Sequence, residues 1–313
     1  MFKGYSSLII VLLFLLPPRL EGQTPTDGLM MARRDLCTVV QFNHTQWDQY
    51  WEGDRLRSNA NFGTIYQRQL QAMSAFGISD RLNALISLPW VQTGATNTYL
   101  NGQRGIQDLS VWLKWRLLNR SILGGSLQLF TTGGLSSPVT DYVADYMPLN
   151  IGMQSRTSSL RLIAHYQLPI GIYSTAQAGH TWRSNVEIDR NAFIFFDKLY
   201  YTNNVPVPNL ADATLRLGLL KSRFQVEGWL EGSTGLSGDD MRYNEAPFLT
   251  NKMQAITYGF WGRYWIGKLA VSANYGQVLS GRNVGKATSF GAGIFYLVHL
   301  EKKEEKNEKS LYK

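Results

Sequence analysis

The sequence predicts an all-β protein: a single transmembrane antiparallel up-and-down β-barrel of twelve strands, with short periplasmic turns and long extracellular loops. Three observations predict it. Apolar residues recur at every second position through runs of about ten residues, the strand period, because successive side chains leave a pleated backbone on opposite sides. The connections between these runs alternate strictly between very short and long, which is the plan of an outer-membrane barrel. Beyond the first 22 residues, no segment approaches the roughly 20 apolar residues a spanning helix needs, so insertion into a bilayer requires a closed barrel.

The chain begins MFKGYSSLIIVLLFLLPPRLEGQ, with a cation at Lys3, an apolar run from Leu8 to Leu16 and a small residue at Gly22. That run is too short to span a bilayer, so residues 1–22 are expected to be a cleaved signal peptide for export. The single cysteine, Cys37, follows Arg34-Asp35-Leu36 rather than small residues, which argues against a lipoprotein. One cysteine also excludes an intrachain disulfide framework, and stability must come from a large fold.

Strands are expected near 36–44, 62–76, 81–91, 107–118, 122–132, 157–168, 172–183, 212–220, 224–234, 252–264, 268–279 and 289–300. The short turns between them are GISDR at 77–81, NRS at 119–121, PIG at 169–171, KSR at 221–223 and WIGK at 265–268. The long loops cover about 45–61, 92–106, 133–156, 184–211, 235–251 and 280–288. Residues 23–300 thus form the barrel, and the charged tail EKKEEKNEKSLYK at 301–313 reads as a solvated periplasmic extension.

Strand 107–118 sets the faces. Leu109, Val111, Leu113, Trp115 and Leu117 alternate with Asp108, Ser110, Trp112, Lys114 and Arg116, so lipid takes one face and a wet lumen the other. By the same alternation Arg161 and His165, Arg216, Glu227 and Glu231, and Arg263 point into the lumen. Strand two directs Gln67, Gln69 and Gln71 inward and Arg68 outward, about ten residues above the Gly77 turn, where a cation meets lipid phosphate. Phe76, Trp90, Tyr166, Tyr173, Tyr264, Trp265 and Tyr296 near strand ends are expected to form interfacial girdles. The parity of the seventh strand is open, and with it the face of His180.

The formal charge is +8, yet basic residues are spread singly along alternating strands, which argues against a nucleic-acid partner. The residues at 76–118 resemble the outer-membrane family named for the meta-pathway of phenol degradation. The stretches that carry the resemblance are Phe76-Gly77-Ile78-Ser79-Asp80-Arg81-Leu82, Leu88-Pro89-Trp90-Val91, Gly105-Ile106-Gln107-Asp108-Leu109 and Leu113-Lys114-Trp115-Arg116-Leu117. That resemblance implies a barrel for uptake of hydrophobic or aromatic compounds, similar to long-chain fatty acid transporters; it transfers no substrate contact. Trp90 in place of Tyr, Ile106-Gln107 in place of a Gly-containing step, and the charged tail depart from the family pattern.

The expectation is therefore a monomeric channel or transporter in the outer membrane of a Gram-negative bacterium, for passive uptake of small hydrophobic or aromatic compounds. It needs no cofactor or metal, and its partners are outer-membrane lipid and lipopolysaccharide, the solute and the outer-membrane assembly machinery. Lumen-lining candidates are Asp108, Lys114, Arg116, Arg161, His165, Arg216, Glu227, Glu231 and Arg263, although a narrow barrel can use such residues as an ionic filling. Ligand-capture candidates are Trp47, Tyr50 and Trp51 of loop one, and Phe193, Phe195, Phe196 and Tyr200 in the apolar stretch 192–201. That stretch reads more readily as a strand extension than as a folded lid. Gly238-Asp239-Asp240 with Glu245 lacks EF-hand ligand order. The alternatives are a structural or partner-binding barrel with a closed lumen and, third, a surface lipid-modifying enzyme. The enzyme reading is weak because His180 lacks a Ser two residues later and no GxSxG or HExxH occurs.

Overall fold

The structure, a computed structural model, describes residues 24–300. The predicted signal peptide and charged tail lie outside the described residues. Twelve long antiparallel strands form one closed sheet, and among the described residues there is no helix. We number the barrel strands β1 (Asp35–Trp47), β2 (Ile65–Ser79), β3 (Leu82–Ala95), β4 (Asp108–Ile122), β5 (Gly125–Pro138) and β6 (Thr157–Gln167). The second half comprises β7 (Ile172–Arg183), β8 (Leu210–Leu220), β9 (Phe224–Gly235), β10 (Gln254–Ile266), β11 (Leu269–Arg282) and β12 (Thr288–His299).

Each strand pairs with its sequence neighbours, and β1 pairs with β12 from Asp35 opposite His299 to Gln46 opposite Thr288, which closes the ring. Closure leaves no sheet edge unpaired in the membrane. The outward positions carry exposed apolar side chains all round: Val40 and Phe42, Leu70, Ile86 and Leu88, Leu113 and Trp115, Leu160 and Leu162, Leu215 and Leu217, Ile294 and Tyr296. This is the apolar band that lipid covers.

Most short turns fall where the sequence places them, but NRS at 119–121 does not turn. A register shift between Arg116 and Leu118 carries β4 on to Ile122, and the chain reverses at Leu123 and Gly124, at φ of 51° and 75°. Two consecutive left-handed residues make the hairpin turn whose twist matches that of the flanking strands, and Gly124 adopts it without cost.

Two girdle expectations are overturned. Tyr173 and Trp265 are only 3% and 4% exposed and point inward, whereas Trp90, Tyr264 and Tyr296 face outward. Both misplaced rings sit one residue from an outward neighbour, Ile172 and Ile266, and a one-residue change of parity reverses the face. The same parity settles β7: Tyr173, Thr175 and Gln177 are buried inside, so His180 shares the outer face with Ile172 and Trp182 and packs on the Trp182 ring at 4.4 Å.

At the loop end the strands continue beyond the membrane band into a cap. The apolar stretch 192–201 is not an extension of the barrel wall. Phe193–Phe195 pairs with Lys198–Tyr200 in a separate hairpin, turned by Phe196 and Asp197 at φ of 47° and 59°. That hairpin packs Phe193 into a small core with Ala144, Val186, Ile188, Val205, Val207 and Leu249. Burying Phe193 there removes apolar surface that an extended strand would leave in water.

Candidate functional site

The lumen is occupied by the chain itself. Residues leading into β1 turn up into the barrel from the short-turn end. Asp27 organises them: its carboxylate accepts from the Thr24 backbone N at 2.5 Å and the Leu29 backbone N at 3.0 Å. Lys114 of β4 donates to the same carboxylate at 2.8 Å, to the Asp27 carbonyl at 2.6 Å and to the Thr24 carbonyl at 3.2 Å. Its three ammonium protons are thereby all satisfied, which a wholly buried lysine requires. Arg216 donates to the Thr26 hydroxyl at 3.1 Å.

Below this contact the segment packs without side-chain bulk. An ideal Cβ on Gly28 would lie 2.1 Å from the His165 ring, and one on Gly77 would collide with the Ala32 carbonyl. Met31 joins Cys37, Val39, Ala75, Leu85, Trp265, Ala270 and Phe295 in an apolar core at the short-turn end. The Arg34 backbone N donates to the Gly77 carbonyl at 2.8 Å, stitching the segment to the β2 rim. We call residues 24–34 the plug.

The inward wall forms a connected polar network around it. Arg263 donates to Gln225 at 2.9 Å, Gln225 to the Tyr173 hydroxyl at 2.8 Å, Tyr173 to Glu227 at 2.5 Å, and Arg216 to Glu227 at 2.9 Å. His165 hydrogen-bonds Thr175 at 2.7 Å. Nearer the loops, Arg161 pairs with Asp212 at 2.8 Å, Thr214 donates to Glu231 at 3.2 Å, and Asp108 accepts from Tyr142 of loop three at 2.6 Å. Arg116 lies at the opposite rim and donates to the Asp80 carbonyl.

All nine lumen candidates therefore lie on the inward parity, but only Arg216 and Glu227 pair with each other. The rest engage Asp27, Thr175, Gln225, Asp212, Thr214, Tyr142 and Asp80; strand alternation puts Thr214 and Gln225 on the lumen face, and the other five were not singled out. Asp27 carried no signal, since residues 23–34 show no alternation. Lys114, His165, Thr175, Gln225, Glu227 and Arg263 are all buried, so the plug and the wall together fill the lower lumen. Gln67, Gln69, Gln71, Trp229 and Glu231 above them are half-buried, leaving an upper lumen between plug and cap.

Beneath the cap, one cavity of about 270 Å³ is walled by Trp47, Tyr50, Phe62, Met147, Pro148, Met241, Pro247, Met253 and Val284, with Asn59, Asn61, Asn150, Asn244, Asn283 and Glu245 at its polar points. Trp47 is held by Gly285, where a Cβ would lie 2.6 Å from its ring, and Tyr50 by a backbone bridge to Gly285. Aromatic rings and Met thioethers provide an adaptable apolar lining on one side, and the asparagine amides with Glu245 can fix a polar substituent.

A second cavity of about 530 Å³ lies across the 245–247 segment and includes Phe193, Leu199, Arg190 and Phe248. The capture candidates are thus divided. Trp47 and Tyr50 share the first cavity; Trp51 is buried beside Gly281 and lines neither; Phe193 lines the second. Phe195 packs on Phe196 at 4.5 Å, while Phe196 and Tyr200 are exposed on the hairpin. Met147 and Met241 were missed because they lie in polar loops without periodicity, and Phe62 and Met253 because the expected strands 62–76 and 252–264 begin before the observed starts at Ile65 and Gln254.

In the cap, Arg282 holds Asp240 in a bidentate pair and Asn283 donates to it at 2.9 Å, while Asp239 accepts from Thr250 and Asn251. These donors hold the Asp240 carboxyl below the usual carboxylate range, the Arg282 hydrogen bond foremost. The loop-five acids thus serve as a latch between loops.

No family model matches the chain, and no curated protein matches it. Solved structures do. The chain is similar to an outer membrane channel from Pseudomonas putida F1, at 14% identity and a TM-score of 0.71, over 88% of this chain and 100% of that one. Weaker likenesses are to the translocator domain of the autotransporter NalP from Neisseria meningitidis (13% identity, TM-score 0.46, 86% and 90% covered) and to the KdgM porin (9%, 0.46, 82% and 98%). The first likeness shows the fold: this chain has the barrel architecture of an outer membrane channel.

Proposed function

We propose that the chain is a monomeric outer-membrane protein of a Gram-negative bacterium, exported through a signal peptide at 1–22 and inserted by the outer-membrane assembly machinery, that takes up small hydrophobic or aromatic compounds passively. The observation that carries this reading is the conjunction of an aromatic and methionine-lined cavity at the cap with a polar lumen sealed below it by Asp27 on Lys114. A hydrophilic solute gains little from rings and thioethers and then meets a lower lumen filled by the plug and buried side chains. An apolar solute is desolvated by the cap cavity, which is the step that favours its capture from the polar surface layer. The resemblance at 76–118 and the channel architecture support the same reading.

His180 faces outward against Trp182, and the His165–Thr175 pair is buried on the inward face, out of reach of lipid. The sealed lumen equally supports a second reading, a structural or partner-binding barrel whose cavity holds nothing.

Calorimetric titration of the folded protein in detergent with toluene, benzoate and glucose separates these. Binding of toluene, weaker binding of benzoate and none of glucose is the expected order. Binding of glucose as tightly as toluene, or of none of the three, contradicts uptake of hydrophobic compounds.

A further inference from the structure

The outward face carries a feature that neither the plug nor the cap uses. Phe290 of β12 pairs with His44 of β1, His44 with Arg68 of β2, Arg68 with Gln92 of β3, and Gln92 with Arg104 of the short strand Arg104–Ile106. Residues opposite each other in an antiparallel ladder share a face and a height. Arg68 and Arg104 are exposed, and the row beneath them, Phe42, Leu70, Trp90 and Ile106, is exposed and apolar. The row is thus on the lipid side, directly above the greasy band.

Its height fits a headgroup. Arg68 lies nine residues above Gly77 at the short-turn end. At about 3.3 Å per residue and a strand tilt near 40°, it stands roughly 23 Å up, at the upper edge of an apolar band about 25 Å tall. No carboxylate lies in this row or in the rows on either side, and among the described residues neither arginine is in an ion pair. The Arg68 guanidinium sits over the Tyr66 ring at 5.1 Å, and the His44 ring packs against Tyr66 and Phe290. These contacts orient cationic and donor groups that have no protein anion to meet.

We propose that His44, Arg68 and Arg104 form a docking site for the phosphorylated sugar headgroup of an outer-leaflet glycolipid, whose acyl chains lie along Phe42, Leu70, Trp90 and Ile106. The proposal rests on the outer-membrane reading above. Arginine matches phosphate oxygens bidentately. With strands about 4.8 Å apart, Arg68 and Arg104 are separated by roughly 10 Å and the three residues span roughly 14 Å. That span suits two phosphates held apart by a disaccharide better than the single phosphate of a glycerophospholipid.

The test uses the folded mature protein in dodecyl maltoside and native mass spectrometry with diphosphoryl lipid A or phosphatidylglycerol as the added lipid. Wild type is expected to retain one diphosphoryl lipid A in preference to phosphatidylglycerol. R68Q/R104Q should lower that retention about tenfold, R68K/R104K should restore most of it, and R120Q/K221Q at the short-turn end of the barrel should leave it unchanged. Equal retention by wild type and R68Q/R104Q, both showing the heat-modifiable migration of a folded barrel, overturns the site. Phosphatidylglycerol retained as well as lipid A, and lost equally in R68Q/R104Q, overturns the glycolipid assignment. Toluene titration of the same samples reads the cap cavity separately, so failure of one proposal is distinguishable from failure of the other.

Discussion

The Lys114 ammonium and the Asp27 carboxylate meet at 2.8 Å inside the barrel, and the lysine side chain has no solvent exposure. A charge at that depth is tolerable only when paired and fully hydrogen-bonded, so this contact sets the position of the plug. Replacing Lys114 by Ala leaves the Asp27 carboxylate without its cation. The expected loss is about 3–5 kcal/mol, by analogy with broken buried pairs, and is measured as a lowered urea midpoint of the folded band. The double variant Lys114→Met with Asp27→Asn should recover much of it, since no charge is then left alone.

Gly28 tests the plug from the other side. Its ideal Cβ would lie 2.1 Å from Nδ1 of His165 and 2.6 Å from its Cβ, so the neighbour has no flexible end to swing away. Gly28→Ala should dislodge the plug and raise proteolysis of the segment by trypsin at Arg33 or Arg34 at least severalfold. Adding His165→Ala creates room and should return cleavage to near the wild-type rate. A Gly28→Ala protein as resistant as wild type would mean that the segment does not pack there.

For the cap, Trp47→Ala should weaken toluene binding about tenfold, or roughly 1.4 kcal/mol, in a calorimetric titration. Trp47 forms a wall of the 270 Å³ cavity, whereas Ile194 on the exposed hairpin does not. Ile194→Ser should leave the affinity unchanged.

The Asp240 latch gives a pH dependence with a definite sign. The Arg282 hydrogen bond, with help from Asn283, holds the folded-state carboxyl below its unfolded value. Its contribution is therefore fully present above the unfolded value, ordinarily near 3.9, and is lost as pH falls through the lower folded value. Hydrogen exchange of loop-five amides should accelerate relative to barrel amides only in strongly acidic solution. In Asp240→Asn it should be fast already at neutral pH and insensitive to acid.

The barrel was legible because its rules are periodic and local. The alternation around Lys114 and the contrast between the turn at Ser79–Leu82 and the long loop after Ala95 required only strand geometry and connection length. Parity failed at Tyr173 and Trp265, where aromatic character outweighed counting. The register shift between Arg116 and Leu118 displaced a turn because a bulge adds a residue that alternation does not count. The site was less legible. Lys114 was found on its strand, but its partner Asp27 lies 87 positions away in a segment without pattern. The folded hairpin at 193–200 was misread because Phe193-Ile194-Phe195-Phe196 satisfies strand propensity whether it joins the barrel or pairs with the segment that follows it.

Residues 24–34 fill the lower lumen, which should close it to polar solutes. The most direct test is ion conductance in planar bilayers of the refolded mature protein beside a variant lacking those residues, both verified as heat-modifiable barrels. The account predicts little or no steady conductance for the intact chain and a stable open channel, at least severalfold larger, for the variant. Equal open conductance from both would show that the segment does not seal the lumen.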